Sequence, residues 1–269
     1  MAYGGSPQGT SGGQSGTSNP ALNWQSFERG SAEVGAAERA DMTAAGTYLK
    51  TGFLLVLLVL AAAFGWSQVR MVSVEGVPIA LPPSWTWLAF ILTFILGLVG
   101  AFAVRAAPIV GPLYALAEGA LLGIASRYFS LEFQGIVAQA VLATVAVFAG
   151  TLFLYGTGII RVSPRLATGV AIAMSALVVL YLTAWLLSIF GVNFDFLYAP
   201  TPLGILLSLG IVILGALSLP LDFEFIRQAE ARGAPKQMEW YGAFGLLLSL
   251  IWIYVSILRL LALLRASQG

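Results

Sequence analysis

Apolar residues fill seven stretches of this chain, at residues 51–69, 84–104, 109–129, 135–158, 166–192, 201–223 and 239–264, with charged side chains confined almost entirely to the segments between them. A bilayer hydrocarbon core about 30 Å thick is crossed by roughly 20 helical residues, and each stretch has about that length. None shows the polar and apolar alternation of a barrel strand. In lipid a spanning segment has to satisfy its own amide groups, so all seven are predicted to be helices. The expected fold class is therefore an all-α membrane protein with seven transmembrane helices. Small residues within the stretches, as in Leu96-Gly97-Leu98-Val99-Gly100 and from Gly204 to Gly215, suit close helix contact.

Composition agrees: 59% of residues are hydrophobic, 9% are charged and the mean hydropathy is +0.90, whereas soluble domains carry about 25% charge. Thirteen basic against twelve acidic side chains leave a net charge of +1, so no nucleic-acid partner is expected. The expected partners are the lipid bilayer, cations and other membrane proteins. Cys and His are both absent. That removes disulfides, thiolate and imidazole metal sites, the corresponding nucleophiles and the usual general base near neutral pH. No nucleophile elbow or phosphate-cradling loop is present. Intramembrane aspartyl chemistry needs two facing aspartates, and only Asp222 lies within or at the end of a predicted helix. The chain is expected to be neither an enzyme nor the holder of a cofactor.

The segment before the first apolar stretch has a different character. Gly4 to Pro20 consists entirely of Gly, Ser, Thr, Pro, Gln and Asn, a composition that buries too little apolar surface to offset its ordering entropy. Residues 1–40 read as a disordered cytoplasmic tail and 41–269 as the transmembrane domain, with Ala36 to Lys50 forming an interfacial helix at the junction. The first apolar run begins only after Lys50 and six more follow, so it does not read as a cleaved secretory leader. With the amino terminus in the cytoplasm, the inner connections carry Arg29, Arg39, Lys50, Arg105, Arg161, Arg165, Arg227, Arg232 and Lys236, against Arg70, Arg127 and Arg265 outside. This asymmetry predicts a cytoplasmic amino terminus and an external carboxyl terminus. Trp66, Trp85 and Trp87 then mark the outer interface, and Trp240 and Tyr241 the inner one.

Ionisable groups inside the bilayer carry the functional expectation, because each is costly unless it faces the protein interior or water. Glu118 falls near mid-membrane on the third helix. Asp222 falls at the inner end of the sixth, just after Pro220, whose ring removes a helix hydrogen bond. Arg105 ends the second helix on the same side, and Arg259, in the outer part of the seventh, reads as a structural charge. The cluster Glu224, Arg227, Glu230, Arg232, Lys236 and Glu239 reads as a solvated loop with helix-end charge pairs.

Leu221-Asp222-Phe223-Glu224-Phe225-Ile226-Arg227, the charged loop after it, Glu239-Trp240-Tyr241 and the run ending Ser256-Ile257-Leu258-Arg259-Leu260-Leu261 resemble the last two helices of the Bax inhibitor-1 family, the transmembrane Bax inhibitor motif proteins. Pro112-Leu113-Tyr114-Ala115-Leu116-Ala117-Glu118-Gly119 and Gly123-Ile124-Ala125-Ser126 resemble the third helix of its bacterial members. The likeness covers most of residues 40–265.

The resemblance implies six helices around a central seventh, a pH-sensitive calcium leak pathway, and a bacterial inner-membrane location. It also implies a pair of aspartates on the sixth and seventh helices, latched by an arginine at the end of the second. Asp222 matches the first aspartate and Arg105 the latch, while Ser249 stands where the second aspartate is implied. Two carboxylates sharing a site raise one another's proton affinity, and Ser249 brings a hydroxyl but no charge. The acidic residue that the family carries in its second helix is also missing from Leu92 to Gly97.

Calcium needs six to eight oxygen ligands and neither His nor Cys. Asp222 is the expected transient metal ligand, with Glu118 and Ser249 along the same ion and proton pathway. The alternative is a membrane regulator or scaffold that conducts nothing and modulates a membrane protease or a stress response. A conductor needs a continuous polar track, whereas a scaffold can bury the same groups in closed pairs.

Overall fold

The computed structural model describes residues 41–74, 77–191 and 199–268. Its helices are α1 (Ala44–Gln68), α2 (Thr86–Phe102), α3 (Ala107–Glu132), α4 (Ile136–Gly156), α5 (Pro164–Ile189), α6 (Pro202–Ala231) and α7 (Met238–Ala266). Six are long and apolar enough to cross a bilayer, and α2 is a shorter apolar helix of 17 residues. A 3-10 turn, Val104–Ala106, links α2 to α3. The predicted tail lies outside the described residues, apart from its junction with α1.

Helix starts follow local chemistry. Thr43, Ser163 and Thr201 each accept a hydrogen bond from a backbone N–H three residues on, and Pro164 and Pro202 occupy the first turn, where a missing N–H costs nothing. Three features depart from the sequence expectation. Ala44 to Lys50 are the opening turns of α1 itself, continuous with the first span, and residues 36–40 of the expected junction helix lie outside the described residues. Helix α6 continues past residue 223 to Ala231. Hydropathy marks where hydrocarbon ends, whereas Glu224 to Ala231 are mostly good helix formers that extend the helix beyond that level. The connection after α1 contains an antiparallel hairpin, β1 (Arg70–Val74) and β2 (Val77–Leu81), with Arg70 opposite Leu81 and Val74 opposite Val77.

The closest packing joins α1 to α3. A Cβ on Gly123 would lie 1.9 Å from the Ala62 carbonyl oxygen, one on Gly119 2.4 Å from that of Leu58, and one on Gly65 2.0 Å from that of Ala120. These helices touch backbone to backbone, the contact that small residues at four-residue spacing permit. Helix α7 packs against α1, α3, α4 and α6, and the Phe244 ring fills the space that a Cβ on Gly100 of α2 would need. Half of its most apolar window is buried, against 11% for α5, so α7 contributes to the core while α5 faces mainly lipid.

The start of α1 is fastened to the start of α7. Met42 N–H donates to the Ala234 carbonyl at 2.6 Å. Glu239, only 2% exposed, accepts from Lys50 Nζ at 2.5 Å, from Thr43 N–H at 3.0 Å and from Thr43 Oγ1 at 3.1 Å. The sequence expectation put Glu239 in a solvated cluster; tertiary packing instead buries it, and the ammonium and Thr43 make that burial tolerable. Glu224 and Arg227 do form the expected helix-end pair, at 2.6 Å. Tyr155 of α4 joins it, its hydroxyl donating to Glu224 Oε2 at 2.6 Å. K50A should destabilise the protein by about 3 kcal/mol, because it strands a buried carboxylate. Detergent-induced unfolding of the purified protein is the measurement, with E239Q, which leaves no stranded charge, losing less.

Lys50, Arg105, Lys236 and Trp240 share one end of the bundle. At the other, Tyr128 Oη donates to the Ala80 carbonyl of the hairpin at 3.2 Å and Arg265 donates to the Gln134 carbonyl at 2.6 Å. The Arg127 guanidinium lies 5.2 Å from the Trp66 ring at that second end. Tyr241, expected at the interface, is fully buried in the core beside Phe225.

Candidate functional site

Gly204, Ser208, Ile211, Gly215, Ser218 and Asp222 recur at alternating spacings of four and three along α6 and are all buried. That spacing puts them on one face of the helix. Small side chains let α7 approach: a Cβ on Gly215 would sit 3.0 Å from Ile253 and 3.3 Å from the Trp252 ring. At the Lys50 end of this stripe, Ser249 of α7 donates from Oγ to Asp222 Oδ2 at 2.5 Å, and Asp222 is 0% exposed.

A serine hydroxyl donates to a carboxylate or, turned, accepts from a carboxylic acid, so this pair serves either protonation state. Pro220, inside α6, has no N–H to give the Ala216 carbonyl one turn earlier. Ser218 Oγ donates to the Gly215 carbonyl at 2.8 Å. Farther along the same interface, Ser208 Oγ and the Trp252 indole N–H are buried without a hydrogen-bond partner. Buried polar atoms left in that condition are places that water can occupy, and the Ser208 oxygen can also face a passing cation. The carboxylate, the hydroxyls, the Ala216 carbonyl that Pro220 cannot serve and water are the oxygen ligands available to a cation here. Among the described residues, no group of three or more Asp, Glu, His or Cys side chains converges, so any ion is held weakly.

The other candidate residues occupy different places. Arg105 is exposed and lines a depression of about 410 Å³ with Lys50, Lys236 and Trp240, where the Lys50 ammonium lies 5.3 Å from the Trp240 ring centre. Lys50 pairs with Glu239 and Arg227 with Glu224. Glu118 lines a separate cavity between α2 and α3. Arg259 donates to the Tyr181 hydroxyl of α5 and sits 5.7 Å from its ring centre, tying α7 to α5. The structure thus brings Asp222 and Ser249 together, sets Arg105 in the depression beside Lys50 and Lys236, and puts Glu118 in a cavity between α2 and α3.

Ser208, Trp252 and Thr93 were not singled out from sequence. Ser208 had a signal, since residues 208, 215 and 222 are seven apart and therefore nearly one above another on a helix. Trp252 and Thr93 had none, because each is an ordinary residue of an apolar helix until its neighbours are known.

A multi-span helical membrane protein with a buried acid paired to a hydroxyl between its last two helices is the class these features define. The chain belongs to the family described as Bax inhibitor 1 like, whose profile matches residues 15–266. Comparison with curated proteins and with solved structures gives no match.

Proposed function

We propose that this protein is a cation leak pathway, with calcium as the permeant ion, in which Asp222 is the ion- and proton-binding group and Ser249 its hydroxyl partner. The observation that carries the reading is the 2.5 Å contact between Ser249 Oγ and the fully buried Asp222 carboxyl. The polar stripe leading from it supplies the rest of the track, through the hydroxyls of Ser218 and Ser208. Weak, incomplete coordination suits conduction, since an ion has to leave as readily as it enters.

Arg105 is the proposed closing partner. It lies with Lys50 and Lys236 at the end of the bundle where α6 carries Asp222, and a guanidinium held against that carboxylate would close the route to cations. Glu118 lies in a cavity of its own and forms no part of the proposed route. The excess of basic residues in alternate connections supports a cytoplasmic amino terminus, and the family resemblance supports a bacterial inner membrane.

The closed character of the Asp222–Ser249 pair also favours a second reading, a scaffold that conducts nothing and regulates a membrane protease or stress response. Reconstitution into vesicles containing a calcium indicator separates the two. A leak above that of protein-free vesicles is expected. Flux equal to the blank, together with recovery of a membrane protease in a pull-down, would replace the channel reading with the scaffold.

A further inference from the structure

Phe90, Thr93, Phe94, Gly97 and Leu98 of α2 face Tyr114 and Glu118 of α3 across a cavity of about 300 Å³. The spacing of the first set is that of one helical face, and Tyr114 and Glu118 are one turn apart. Glu118 is eleven residues past Ala107 and fourteen before Glu132, which puts it about 16 Å from one end of α3 and about 21 Å from the other. Among the described residues, no hydrogen bond or ion pair reaches its carboxyl group. Beside it, the Thr93 hydroxyl is buried, the residue being 7% exposed, and also lacks a partner. The rim is apolar: Phe90, Phe94 and Leu98 are 59%, 63% and 45% exposed on the outer surface of the bundle. The cavity therefore opens toward hydrocarbon at mid-depth.

An ionised carboxylate at that depth is costly unless a positive partner neutralises it, and a partner arriving through the bilayer requires an apolar body. Two hydroxyls beside the carboxylate accept hydrogen bonds from a cation that carries N–H groups. Rings at the mouth favour the same charge. A calcium ion would need six to eight oxygens and a hydrated route, neither of which this apolar crevice offers. A quaternary ammonium would leave Thr93 unsatisfied.

We propose that the Glu118–Thr93–Tyr114 crevice is a binding site for a lipophilic primary amine, with the ammonium on Glu118, its N–H groups on the two hydroxyls and its apolar chain between Phe90 and Phe94. The site is independent of the leak reading, and its test involves no ion flux.

The full chain in phosphatidylcholine nanodiscs is titrated with dansylcadaverine, a primary amine with an apolar fluorophore, following energy transfer from tryptophan. Saturable binding that octylamine displaces and octanol does not is expected. E118Q should abolish the saturable component, and T93V, which keeps the charge, should weaken it roughly five-fold, the equivalent of one lost hydrogen bond. Size-exclusion and thermal profiles of both variants establish that they fold, and T93V carries the test if E118Q does not. Saturable binding unchanged in E118Q or in T93V, or displacement by octanol as effective as by octylamine, would overturn the assignment.

Discussion

G123A is expected to destabilise the protein by about 3 kcal/mol or more, although it adds one methyl group and replaces the poorer helix former with the best one. In an open helix position the same change helps by roughly 1 kcal/mol. Here the new Cβ would lie 1.9 Å from the Ala62 carbonyl oxygen. The obstacle is backbone, so no rotamer change relieves it, and α1 has to move off α3. Separation would also disturb the neighbouring contacts of Gly119 with Leu58 and of Gly65 with Ala120. The control is G150A on α4, where an added Cβ meets nothing within 4 Å and a gain of up to about 1 kcal/mol is expected. Thermal midpoints of the two purified variants make the comparison. Equal midpoints would mean that the α1–α3 contact is looser than described.

D222N should leave the fold intact and reduce calcium leak by about ten-fold or more, since losing a charge that faces a desolvated cation costs more than the roughly 1.4 kcal/mol that a factor of ten represents. Asparagine keeps the shape of Asp222 and a side-chain carbonyl able to accept from Ser249. It removes the charge alone. A purely structural pair would tolerate that change without any effect on flux, so equal leak from wild type and D222N would remove Asp222 from the pathway. The parallel variant S249D places two carboxylates where one stands, and two like charges at one site favour their sharing a proton. Calcium competes with that proton, so S249D should bind calcium more strongly as pH rises, and more steeply than S249A, which keeps a single carboxyl group.

The helices were legible because crossing a bilayer imposes a length and an apolar composition that no other segment of the chain meets. Asp222 stood out because charge is rare in such stretches. Ser249 entered only through family likeness, and a serine in an apolar helix carries no mark of the acid it touches. Glu239 shows the limit from the other side. Its charged neighbourhood suggested solvent, but the chain returns Thr43 and Lys50 to it from almost two hundred residues away, and contacts at that separation have no local signature. Gly119 and Gly123 displayed the four-residue spacing of a helix contact, yet the spacing does not name the helix that fills it.

Sequence alone determined the class of this protein, the order and approximate extent of its helices, and the few acids that lipid makes costly, because those follow from the solvent each residue has to enter. Tertiary structure decided which groups meet, Ser249 with Asp222 and Lys50 with Glu239, and which share a cavity, Glu118 with an unpartnered Thr93. Hydropathy constrains how deep a residue sits in the bilayer, whereas the rotation of each helix about its axis is set by packing against its neighbours, and that rotation chooses the partners.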